Sequence, residues 1–354
     1  MAYPEIRIDL NKIETNTRTT VERCHQQGIQ VAGVTKLFGG NPEIATAYVA
    51  GGVDLLADSR IDNLKRLSGF SLPKMLLRIP MISEAATVVQ TADMVLISEP
   101  ETAKALSNQA KALDKSIQLI LMVDVGDLRE GLYAMKEIQE AASMMDGLPG
   151  VQLTGIGTNL TCYGGVRPSR KNLTQLVNIK TELEKLLKRH LPVLSGGNGG
   201  TLSLLETGEI PVEINQLRLG SSLAMGIGLN DEPIPGLQQD AFLLLTEIVE
   251  LRRKPSIPEG IIGLDAFGNR PVFEDRGNRM RAICALGRQD IHPDEICPLQ
   301  KGIQILGASS DHLILDVEDC SDLLQIGSYL TFLPTYGGCL SLMTSPYVKK
   351  IIIT

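Results

Sequence analysis

The chain has 354 residues, 43% of them hydrophobic and 21% charged, and a net charge of −7. That length suits a large barrel plus a smaller domain, the composition excludes a disordered chain, and the acidic balance excludes a basic nucleic-acid surface. No apolar run approaches the roughly 20 residues that span a bilayer, and MAYPEIRIDLNKI has no basic segment leading into an apolar one, so a cytoplasmic protein without membrane or nucleic-acid partners is expected.

A helical stretch near residues 11–27 is followed by IQVAGVTK (29–36) and a helix from Asn41. Then come VDLLADS (53–59), KMLLRIP (74–80), DMVLISEP (93–100) and IQLILMVDVG (117–126). VQLTGIGTNL (151–160), LPVLSGGNGG (191–200) and VEINQLRLGSS (212–222) complete eight strand candidates. Most are short and continuously apolar, as parallel strands covered on both faces must be. Helices separate them, for example residues 169–190, with Leu173, Leu176, Ile179 and Leu183 at helical spacing. The alternation predicts an α/β fold, a (β/α)8 TIM-type barrel. From about residue 240 the pattern changes to AFLLLTEIVELRR, RMRAICALGR, GIQILGASSDHLILDVED and SYLTFLP, antiparallel strands joined by Gly, Pro and Asp turns. The reading places a barrel over 1–235 and an antiparallel β domain over 236–354, divided at NDEPIPG. Cys24, Cys162, Cys284, Cys297, Cys320 and Cys339 are scattered without a CxxC pair, so neither disulfides nor a metal site is expected.

Functional groups of such barrels stand at the C-terminal strand ends. The first barrel strand ends in Lys36, after a run of apolar residues and before LeuPheGlyGly. A desolvated lysine there is a Schiff-base nucleophile; the plain alternative is a strand-end lysine reaching to water. The seventh strand ends in SerGlyGlyAsnGlyGlyThr (195–201), whose glycines let backbone N–H groups approach an anion. The eighth ends in ArgLeuGlySerSer (218–222). Loops after strands 7 and 8 form a recurrent phosphate site in this barrel. A phosphate cup with a lysine opposite suits pyridoxal 5'-phosphate (PLP).

Over essentially its whole length the chain resembles the alanine racemase family (fold-type III PLP enzymes), and within it the ornithine/alanine racemase branch. The likeness is strongest at VAGVTK, MVDVGDLREG, LRLGSS and GASSDHLILDVED…LQIGSYLTFL. The resemblance implies that Lys36 carries PLP and serves one face of the substrate α-carbon, and that Arg218 faces the pyridine nitrogen. It implies that Gly220, Ser221, Asn198, Gly199 and Tyr347 surround the phosphate, and that Asn159 stands where the family stacks a histidine on the ring. Arg129 lines the substrate side, and Ser310 is the small residue before Asp311 in the second-domain motif. It further implies a homodimer in which each second domain completes its neighbour's site.

The chain departs from the family at three places. Gly199 replaces a serine, leaving the hydroxyl contact to Ser195, Thr201 or Ser222. Gly40 replaces a tyrosine beside the phosphate, which would open room for a longer side chain. In AlaLeuGlyArgGlnAsp (285–290), Arg288 stands where the opposite-face tyrosine is expected. Arginine is a poor base, so Asp290, His312 (read as a strand histidine) and Cys284 are the further candidates. Two opposed acid/base groups are what racemisation requires. Ornithine or a related basic amino acid, or alanine, is the expected substrate, and Asp58, Asp127, Glu130 and Asp290 are the carboxylates available for a distal ammonium. The competing readings are a non-catalytic PLP-binding homeostasis protein, which would lack a second domain, and a fold-type III decarboxylase, which would set a carboxylate against the pyridine nitrogen. An aldolase would usually need a metal, and the sequence offers no ligand cluster.

Overall fold

In the computed structural model, residues 4–354 are described. Eight parallel strands close into a barrel in chain order: β2 (Gln30–Val34), β3 (Leu55–Asp58), β4 (Lys74–Leu76), β5 (Met94–Ile97), β6 (Ile117–Met122), β7 (Val151–Gly157), β8 (Val193–Ser195) and β9 (Gln216–Leu219). β9 returns to β2 with Gln30 opposite Gln216 and Gly33 opposite Leu219. All eight coincide with the apolar runs of the sequence. Ala32, Val34, Leu55, Ala57, Met75, Leu96, Ile120 and Met122 fill one buried cluster, the layered interior that makes such a barrel a packed core rather than a pore.

The helices obey local rules. Arg170–Leu187 starts at Ser169, whose hydroxyl accepts the Asn172 N–H while the Asn172 side chain reaches back, a reciprocal cap. Leu173, Leu176 and Leu183 form its buried stripe. No helix of the described residues is long and apolar enough to cross a membrane.

The second unit is an antiparallel sheet of β10 (Phe242–Pro255), β11 (Asn278–Cys284), β12 (Ile296–Pro298), β13 (Gln304–Ala308), β14 (Leu313–Asp316) and β15 (Tyr329–Pro334), in the order β12-β15-β10-β11-β14-β13. The sequence reading gave residues 1–235 to the barrel. Instead, β1 (Glu5–Asp9) pairs antiparallel with β10 and parallel with β16 (Lys349–Ile353), so the chain through Leu10 joins Asp240–Thr354, and the barrel unit is Asn11–Gln239. Ile6 and Ile8 are fully buried. Their alternation with polar residues marks a half-buried strand, but its partners lie more than 230 residues away and leave no local trace.

Candidate active site

After β2, the Thr35 hydroxyl donates to Asp58 Oδ2 (2.6 Å) and to the Ala57 carbonyl (3.2 Å), fastening the turn to β3. Lys36 opens a short 3-10 turn, Lys36–Phe38, closed by left-handed Gly39. The sequence reading expects a desolvated amine. Lys36 is exposed, because it begins this turn beyond the end of β2.

Two further expectations about this corner are overturned. Gly40 has φ +63°, and a Cβ there would meet Asn63 Cβ at 2.7 Å and its carbonyl oxygen at 2.8 Å. The room expected from the missing tyrosine is filled by the helix Ile61–Arg66. Asp58 is not available to a distal ammonium. Its carboxylate accepts from Thr35, from Arg60 N–H (2.9 Å) and from Asn63 Nδ2 (3.0 Å), and burial raises its pKa.

After β8, Asn198 acts as a brace. Its Oδ1 accepts the Gly200 N–H (2.9 Å), and its Nδ2 donates to the Leu160 carbonyl (2.9 Å) and to Asn159 Oδ1 (3.2 Å). The structure separates the three hydroxyls the sequence left open. Ser195 Oγ accepts from Arg218 Nη1. Thr201 Oγ1 donates to the Gly196 carbonyl (3.0 Å). Ser222 Oγ is buried without a hydrogen-bond partner among the described residues. A Cβ on Gly199 would lie 3.9 Å from Ser221 Oγ and 4.0 Å from Ser222 Oγ, so the two loops converge there. An orphaned buried hydroxyl beside a second serine and facing bare glycine backbone fits a phosphate, since such an oxygen calls for a partner. The residues present therefore fit PLP.

Arg218 is 5% exposed. It donates to the Thr158 carbonyl (2.6 Å), to Ser195 Oγ and to Asn159 Oδ1 (3.4 Å). Burial brings its pKa down to about 10; the Glu130 charge opposes this and Arg129 adds to it. The guanidinium therefore stays charged at neutral pH. Sequence reasoning missed Thr158, because a backbone carbonyl's role leaves no mark on residue type.

Asp127, expected on the substrate side, is 1% exposed and faces its own unit. Oδ1 accepts the N–H groups of Thr161 (3.0 Å) and Val166 (3.2 Å), and Oδ2 accepts that of Tyr163 (3.1 Å). It ties the β6 loop to the β7 loop, which carries Asn159 and Cys162. Arg129 stands paired with Glu130 through Nε and Nη2. Cys162 is exposed, with Sγ 3.2 Å from Asn198 Nδ2.

Within the second unit, two turns zip together. Arg288 N–H donates to the Ser309 carbonyl (2.9 Å) and Gln289 N–H to that of Ser310 (3.1 Å). Gly287 lies so close to Ser310 that a Cβ would fall 2.1 Å from its carbonyl oxygen. Arg288 Nε donates to the Ala308 carbonyl (3.2 Å), and its guanidinium lies 4.3 Å from the Phe267 ring centre. Asp290 Oδ1 accepts from Ser345 Oγ (2.7 Å), which also accepts the Tyr347 N–H (3.2 Å). Asp290, Ser345 and Tyr347 are thus one cluster. His312 is exposed and closes the turn before β14 rather than sitting in a strand. Cys284 is fully buried in β11, and burial pushes its thiol up to about 12, which removes it as a proton carrier near neutral pH.

The comparisons with known proteins agree with this geometry. The family model "Alanine racemase, N-terminal domain" matches residues 8–227. The chain belongs to the alanine racemase family. It is 42% identical to the lysine racemase of Thermotoga maritima, covering 99% of each chain. It is 43% identical to the ornithine racemase of Acetoanaerobium sticklandii, over 99% of this chain and 100% of that one. Among solved structures, the alanine racemase from D-cycloserine-producing Streptomyces lavendulae superposes with a TM-score of 0.80 at 17% identity, over 100% of this chain and 98% of that one. A D-threonine aldolase from Filomicrobium marinum superposes at 0.72 with 14% identity, over 96% and 88%. At those identities the likeness is one of fold.

Proposed function

We propose that this chain is a PLP-dependent racemase of a basic amino acid, lysine or ornithine. The observation that carries the reading is full-length similarity to a lysine racemase and an ornithine racemase, joined to a barrel that sets Lys36, a buried Arg218 and the orphaned Ser222 hydroxyl at its strand ends. Lys36 would carry the cofactor; Gly199, Gly220, Ser221 and Ser222 would hold its phosphate, and Arg218 and Asn159 its ring. When bound, PLP supplies an electron sink that acidifies the α-hydrogen of an attached amino acid. Lys36 then takes or returns the proton on one face of the α-carbon. A second carrier serves the other face, drawn from the zipped turns that hold Asp290 and His312. Arg288, stacked on Phe267, orients.

The working form is a cytoplasmic homodimer in which the second unit of one copy serves the barrel of the other. Ile261, Leu264 and Val272, on the arm between β10 and β11, are 105%, 69% and 93% exposed, and exposed apolar groups in one segment mark a contact surface. The unpaired cysteines suit a reducing compartment.

A panel of L-lysine, L-ornithine and L-alanine, read by chiral chromatography, tests the reading. The D-enantiomer is expected from lysine or ornithine at least about tenfold faster than from alanine, a difference of roughly 1.4 kcal/mol in transition-state binding. Release of CO2, or equal turnover of alanine, contradicts it.

A further inference from the structure

We infer that Glu130 is a positioning residue that holds Arg129 ready for the α-carboxylate of the substrate. The inference rests on the racemase reading, which makes an amino acid the ligand. Glu130 Oε1 accepts from Arg129 Nη2 at 2.8 Å, and Oε2 meets Arg129 Nε. This two-point grip uses the Nε–Nη2 edge of the guanidinium. A planar guanidinium has a second edge, Nη1–Nη2, matched to another carboxylate. The pair is neutral as a unit, so Glu130 orients Arg129 without the cost of a bare negative charge beside an incoming anion.

The backbone around the pair is fixed. Gly131, next in the chain, has φ +127°, and a Cβ there would stand 2.6 Å from the Asp124 nitrogen. Leu132 N–H donates to the Met122 carbonyl (3.0 Å), and Asp124 N–H to that of Leu132 (3.0 Å). The arch that carries Arg129 and Glu130 is therefore stitched back onto the end of β6, and Asp127 pins the same arch to the β7 loop. What remains to be oriented is the Arg129 side chain, and Glu130 is the group that orients it.

Glu130 also reaches across the barrel end. Its Oε1 accepts from Asn159 Nδ2 (3.4 Å), and Asn159 Oδ1 accepts from Arg218 Nη2 (3.4 Å). The charges of Glu130 and Arg129 are both felt at the buried Arg218, with opposite signs. One carboxylate thus lets two guanidiniums share one strand-end cluster. The residue pattern also explains why Glu130 does not itself take a distal ammonium: both of its oxygens are already engaged.

The test uses the PLP-loaded enzyme, with L-lysine as substrate and 1,5-diaminopentane, its carboxylate-free counterpart, as inhibitor. Glu130→Gln keeps the size and one acceptor but removes the charge; Glu130→Asp keeps the charge. The expected result for Glu130→Gln is a KM raised about 10–50-fold with kcat within about threefold, the size of a lost charge-assisted contact. Inhibition by the diamine stays within about twofold, the melting temperature and the bound-cofactor absorbance are unchanged, and Glu130→Asp recovers part of the KM. Glu140→Gln, at an exposed acid in the helix Met135–Asp146, serves as the charge control and leaves KM alone. An unchanged KM for Glu130→Gln, a parallel loss of diamine binding, or the same KM rise from Glu140→Gln overturns the inference. If the wild-type enzyme racemises no amino acid, the functional reading itself fails, and that is seen before any variant is made.

Discussion

Lys36→Ala is expected to lower racemisation by about 10³-fold or more, the scale of a lost general acid/base, and to abolish the visible absorbance of covalently held cofactor. The fold should survive, because Lys36 is exposed and its turn is set by others: Thr35 through Asp58 and Ala57, and Gly39 through its left-handed conformation. Chiral chromatography and an absorbance spectrum of the dialysed, PLP-treated protein read the two effects separately. Retention of the absorbance band in the variant would place the covalent link elsewhere.

Arg218→Ala is expected to damage both stability and activity. The variant strands the Thr158 carbonyl and Ser195 hydroxyl, which Arg218 now satisfies inside the barrel. Leaving such buried groups unpaired costs about 2–3 kcal/mol in total. For a unit of this size that lowers the melting temperature by about 5–10 °C. Asn159 loses one neighbour and Glu130 loses a charge it helps to balance. Activity should fall by at least about 10²-fold at saturating PLP. Arg218→Lys, which keeps a charge but not the planar fork, should recover part of the stability and little of the activity. Differential scanning calorimetry beside the racemisation assay separates the two. Full activity in Arg218→Ala would remove this residue from the site.

The barrel was legible because its strands are local, continuous and apolar. Position drew attention to the Lys36 and Arg218 ends of those strands, since a (β/α)8 barrel puts its working groups there, while the roles expected of both came from the resemblance to the alanine racemase family. The placement of β1 was not legible: its alternation says half-buried strand, but its pairing with β10 and β16 is set by residues at the opposite end of the chain. The same distance in sequence hid the work of Asp127. A carboxylate in a loop after a strand reads as a substrate ligand, and only the folded chain brings three N–H groups from 34 to 39 residues away onto its oxygens. Ser195, Thr201 and Ser222 are equivalent in a string of letters. Their hydrogen bonds distinguish them: Ser195 accepts from Arg218, Thr201 donates to the Gly196 carbonyl, and Ser222 has no partner among the described residues. Gly40 erred in the other direction: a smaller residue suggested space, but a neighbouring backbone had already filled it.

Borohydride reduction of the PLP-loaded protein, followed by peptide mass mapping, tests the proposed bond between Lys36 and the cofactor. A single phosphopyridoxyl adduct is expected, on the peptide that contains Lys36. An adduct on another lysine, or none, would contradict it.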